Sequence, residues 1–102
     1  MISYNALRLA TALAGQPEAQ VQVFLIGDGA VCAHAHQKVP AGYYNFETML
    51  KTVLKHAGEV GVCATCMDAR GIADAELVEG AKRSSMSELA AWTTEADKVL
   101  VF

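Results

Sequence analysis

No apolar run of roughly 18 or more residues occurs in this sequence, so a membrane-crossing helix is not expected. A basic stretch is lacking too. Eight lysines and arginines stand against eleven aspartates and glutamates, for a net charge of -3, and direct nucleic-acid binding finds no support. Cysteine is scarce. Three residues, two of them in a close pair, do not suit the disulfide framework of a secreted domain. The opening residues, Met1-Ile2-Ser3-Tyr4-Asn5, lack the charged-then-apolar layout of a secretory signal, and a cytoplasmic protein is expected. No internal repeat or low-complexity segment is visible, so residues 1–102 are read as a single domain.

What the chain has in excess is apolar content, 53% against the usual range of about 45–50%. A small domain has much surface for its volume, so some apolar area is left over and a homo-oligomer is expected. The pattern alternates helix and strand. Ser3 is placed to cap a helix over Tyr4–Ala14, with Leu7, Ala10, Thr11 and Ala14 on one face and Gly15 ending it in a left-handed turn. Val21–Ile26 is nearly all apolar and reads as a strand covered on both faces. It runs into Gly27-Asp28-Gly29. A short helix over Ala30–Gln37 would carry Cys32, His34 and His36 before Pro40-Ala41-Gly42 breaks it, and Tyr43-Tyr44 reads as a loop closure. Asn45 then caps a helix whose Phe46, Met49, Leu50, Val53, Leu54 and Ala57 form one continuous stripe, ended by Gly58.

A second strand is expected over Val60–Cys63, then a turn or short helix to Ala69. Asp74 is placed to cap a helix to Ala81 with Leu77 and Val78 inward, and Lys82-Arg83-Ser84 reads as a polar connection. Ser85-Met86-Ser87-Glu88 matches a capping box at the head of a helix carrying Leu89 and Trp92. Lys98–Phe102 reads as a final strand. Such alternation means βαβ units and a mostly parallel sheet with helices on its faces.

The chemistry is concentrated in Gly61–Gly71, which holds Cys63 and Cys66. In an open parallel sheet ligands bind beyond the carboxyl ends of the strands. If the two strands are neighbours, Gly27, Asp28, Gly29 and Cys32 meet the cysteine pair on one edge. Cys63 would stand at a helix start, where free N–H groups and the helix dipole stabilise a thiolate, with Arg70 adding positive charge. Cys66, about one turn on, could attack a disulfide or persulfide on Cys63. Sulfur transfer, a dithiol redox couple, and a metal site completed by Cys32, His34 or His36 all fit these residues, as does a plain role as buried small hydrophobes. Gly27-Asp28-Gly29 lacks the third glycine of a dinucleotide fingerprint and reads as a strand-to-loop turn. His34 and His36 read as solvated, and Asp68 and Arg70 as a surface pair.

The ordered set Tyr4–Ala10, Val23–Gly29, Val62-Cys63 through Arg70-Gly71, and Ala96–Val99 resembles the DsrE/DsrF-like sulfur-relay family over nearly the whole chain. The resemblance implies a three-layer α/β/α sandwich, a homo-oligomer (trimer or hexamer), and cytoplasmic traffic between sulfur donor and acceptor proteins without a cofactor. In the sulfur-carrying members a cysteine precedes the glycine of an Arg-Gly pair by eight residues, which here is Cys63 before Gly71. Cys63 is thus implied as the persulfide carrier, with Cys66 an additional thiol. The family begins with a strand before its first helix, and this chain is expected to lack that strand.

Overall fold

The computed structural model describes residues 2–35 and 46–102. Three short strands, β1 (Gln22–Leu25), β2 (Glu59–Cys63) and β3 (Lys82–Ser84), run parallel in the order β1-β2-β3. Val23 aligns with Val60, Leu25 with Val62, and Cys63 with Ser84. Side chains alternate between the faces of a strand, so Val60 and Val62 share one face and Gly61 opens onto the other. The valine face is covered by α1 (Ile2–Ala14) and α2 (Phe46–Lys55). Leu7, Ala10, Leu50 and Val53 there join Val60 and Val62 in one core. The opposite face receives α4 (Met86–Glu95). Its Trp92 stands edge-on to Phe24, with ring centroids 6.1 Å apart and planes at 88°. A β-carbon on Gly61 would sit 3.2 Å from Trp92 and 3.3 Å from Phe24, so the bare backbone there is what lets α4 approach. The result is an α/β fold with helices on both faces of a parallel sheet, as expected.

The helical stripes are where the spacing puts them except at Ala57, which was expected on the α2 stripe but lies beyond the helix and is exposed. Leu7, Ala10 and Ala14 of α1 are buried, and so are Met49, Leu50 and Val53 of α2. The helix ends differ. α1 already includes Ser3, and Gly15 is not left-handed; the chain leaves α1 through a turn closed by Gln16 N–H to Leu13 C=O at 3.0 Å. α2 stops at Lys55, and the left-handed residue that follows it is Ala57, not Gly58. Ala57 takes the left-handed conformation (φ 63°), and Gly58 N–H bonds Val53 C=O at 2.9 Å. Gly58 is needed for space. A β-carbon there would lie 2.6 Å from the Val53 side chain and 2.8 Å from Val21 C=O.

Four other expectations are corrected. Lys82-Arg83-Ser84 is β3, pairing Gly61, Val62 and Cys63, because a sheet neighbour outweighs the low strand propensity of a polar tripeptide. Lys98–Phe102 forms no strand. Val99, Leu100, Val101 and Phe102 are exposed and pair with none of the three strands, and several of them line, with Leu7, Phe24 and Trp92, a cavity of about 410 Å³. The helix placed at Asp74–Ala81 is one 3-10 turn, Asp74–Glu76, because the Glu76 carboxylate takes the Ala73 N–H at 2.8 Å and the chain then extends, with Leu77 and Val78 still inward. Likewise Gly27–Ala33 is 3-10 helix, and His34 leaves it to bridge Leu77 and to meet the Glu76 carboxylate at 3.0 Å. His36, Pro40-Ala41-Gly42, Tyr43-Tyr44 and the Asn45 cap lie outside the described residues. Among the described residues no helix is long and apolar enough to cross a membrane.

Candidate functional site

β2 carries buried residues from Val60 to Cys63 and stops where the backbone turns into α3 (Ala64–Ala69), with Cys63 at the N-cap. The Cys63 sulfur is therefore held by the central strand and faces the first turn of a helix. Its neighbours are donors. The Thr65 hydroxyl lies 3.3 Å away. That hydroxyl, then the Cys66 thiol and the Cys66 N–H, lower the Cys63 thiol to about 7; burial opposes them, and the Thr65 N–H adds to them. Donors aimed at a sulfur favour its charged form. Near neutral pH a large share of Cys63 is the nucleophilic thiolate.

Cys66 is half-buried on α3, and its sulfur accepts the Gly27 N–H at 3.1 Å. That donor comes from the loop after β1, brought here because β1 and β2 are parallel neighbours. Gly27 is left-handed (φ 61°), a conformation in which glycine avoids the β-carbon clash. Arg70 closes the arrangement. Its guanidinium donates to Cys66 C=O at 3.1 Å and to the Asp28 carboxylate at 2.6 Å. The Asp28 hydrogen bond, followed by attraction to Asp28, Cys66 and Cys63, raises the Arg70 pKa against the opposing effect of burial.

The structure thus brings Gly27, Asp28, Cys63, Cys66 and Arg70 together. Gly29 only closes the loop turn, through its N–H to Ile26 C=O at 3.1 Å. Cys32 is buried in the core on the same 3-10 segment. All three cysteines are thiols. Among the described residues no group of three or more His, Cys, Asp or Glu is arranged to hold a metal ion. The expected Asp68–Arg70 pair does not form. Asp68 is taken by Arg83 of β3 at 3.0 Å, which also binds Asp74 at 2.7 Å and so fastens α3 to the sheet edge.

Two contributors were not singled out from the sequence. Thr65 could have been found as a hydroxyl two residues past a cysteine at a helix start. Arg83 could not, because its role depends on the third strand.

A parallel α/β domain with a thiol pair at the carboxyl end of its central strand is the class that fold and site define. The profile of the DsrE/DsrF-like family matches residues 2–102, and the chain belongs to that family. Protein YchN of Escherichia coli K12 is 40% identical over 100 residues, spanning 97% of this chain and 85% of YchN. The uncharacterized protein MJ0989 of Methanocaldococcus jannaschii is 38% identical over 101 residues, or 98% and 86% of the two chains. The crystal structure of YchN from E. coli is similar with a TM-score of 0.89 at 39% identity, over 97% of this chain and 85% of that one. These relatives agree with the DsrE/DsrF-like family assignment drawn from the segment order.

Proposed function

We propose that this chain is a small cytoplasmic sulfur-relay protein that carries a persulfide on Cys63 and passes its outer sulfur to a partner protein. The observation that carries the reading is the Cys63 sulfur at the end of β2, surrounded by donors from Thr65 and Cys66 and lowered to about 7. The thiolate attacks the sulfane sulfur of a donor persulfide; the new S–S bond forms as the donor's bond breaks, and the donor leaves as a thiolate. An acceptor thiolate then attacks the outer sulfur, and Cys63 departs as the thiolate it was. Neither step needs an external oxidant or a cofactor. A homo-oligomer is part of the proposal, supported by apolar side chains left exposed at Ile26, Val31 and Met86.

A dithiol couple is the second reading, favoured by the contact of the Cys66 thiol with Cys63. In it Cys63 attacks an external disulfide, Cys66 resolves the mixed disulfide, and the external pair leaves as two thiols. Intact mass separates the two readings. After exposure to a sulfane-sulfur donor and removal of excess, a relay protein gains one sulfur atom on Cys63, whereas a dithiol couple ends as a Cys63–Cys66 disulfide and gains none.

A further inference from the structure

We propose that Asp28 and Arg70 are positioning residues, whose ion pair holds the Gly27 N–H against the Cys66 sulfur and so keeps the Cys66 thiol directed at Cys63. The contacts form a closed ring. Gly27 N–H reaches Cys66 Sγ at 3.1 Å. Cys66 C=O accepts Arg70 Nη1 at 3.1 Å, and Arg70 Nη2 reaches Asp28 Oδ1 at 2.6 Å. Asp28 is covalently joined to Gly27, which completes the circuit between two segments about forty residues apart. A single planar guanidinium thereby ties the end of α3 to the loop after β1.

The ring determines what Cys66 can do. A thiol has one hydrogen. With its sulfur accepting from Gly27, that hydrogen is available to Cys63, and donation into a donor strengthens the next hydrogen bond in the chain. Releasing Asp28 frees Gly27, leaves the Cys66 rotamer unfixed and removes a donor from the Cys63 thiolate. The side chain of Asp28 is 99% exposed and that of Arg70 30%, so the tether is open to solvent and its loss leaves the core untouched. The other charged group on α3, Asp68, is engaged by Arg83, and Cys32 is buried in the core; neither belongs to the ring.

Charge and positioning make opposite predictions for Asp28, which makes the inference testable. As a plain negative charge, Asp28 disfavours a nearby thiolate, and its removal would lower the Cys63 titration midpoint. As part of the tether, its removal raises that midpoint. The experiment is the pH dependence of Cys63 alkylation by iodoacetamide, located by peptide mass mapping, in full-length wild type, Asp28→Ala and Arg70→Lys. The midpoint, rather than the plateau rate, is the readout, because a looser loop changes access at every pH. Both variants are expected to titrate higher, with the thiolate fraction below the midpoint falling at least about threefold. Arg70→Lys keeps the charge but cannot span both acceptors. A midpoint that is unchanged or lower in Asp28→Ala overturns the inference, whatever Arg70→Lys does. The inference rests on the proposed relay for its purpose. Alkylation needs no sulfur donor, so its failure is distinguishable from failure of persulfide loading.

Discussion

The Thr65 hydroxyl lies 3.3 Å from the Cys63 sulfur, across the first turn of the helix that begins where β2 stops. It is the largest contributor to the lowered pKa of Cys63. Thr65→Val keeps the shape and removes the hydrogen bond. The Cys63 alkylation midpoint is expected to rise from about 7 toward the ordinary thiol value of about 8.5, and Thr65→Ser to restore it. Thiolate absorbance followed against pH gives an independent check.

The same lowered pKa links pH to stability. An acid whose folded pKa lies below its unfolded one stabilises the fold where it is ionised. The Cys63 contribution is fully present above the unfolded thiol value of about 8.5 and is lost as pH falls through about 7. Denaturant unfolding across that window is expected to show stability rising with pH. In Cys63→Ser this part of the rise disappears.

Adjacent residues at the end of α2 are expected to respond with opposite signs. Ala57 is left-handed, a conformation that costs a residue with a β-carbon roughly 1–2 kcal/mol, so Ala57→Gly is expected to stabilise by up to about 1 kcal/mol. Gly58→Ala would drive a methyl into Val53 and Val21 and is expected to cost about 1–3 kcal/mol. Urea midpoints of the two variants against wild type decide both.

Trp92 is the sole tryptophan and reports on the α4 face. Gly61→Val would press on both Trp92 and Phe24. The expected result is a loss of about 1–3 kcal/mol with a red-shifted tryptophan emission as α4 lifts from the sheet. An unshifted emission with full stability would contradict the close approach of α4 to β2.

Much of this fold was legible where local pattern and tertiary fate agree. On the expected α2 stripe Met49, Leu50 and Val53 are buried, Phe46 and Leu54 partly so, and only Ala57 falls outside the helix, while the apolar run ending at Cys63 is buried as its spacing implies. The third strand was not legible, because Lys82-Arg83-Ser84 is made a strand by its neighbour Val62 rather than by its own composition. The opposite holds at Val99–Phe102, where apolar residues of high strand propensity pair with no strand and stay exposed. At the site, residues close to Cys63 in sequence were readable. The contact of Gly27 with Cys66 followed from placing β1 beside β2, whereas the pairing of Arg70 with Asp28 rather than Asp68 required knowing where Arg83 lies.

The relay account is tested most directly by intact-protein mass after treatment with a sulfane-sulfur donor, in wild type, Cys63→Ser and Cys66→Ser. Wild type and Cys66→Ser are expected to gain one sulfur atom, mapped to Cys63, and to lose it to an added acceptor thiol, while Cys63→Ser gains none. A sulfur atom acquired as readily by Cys63→Ser as by wild type would contradict the assignment of Cys63 as the carrier.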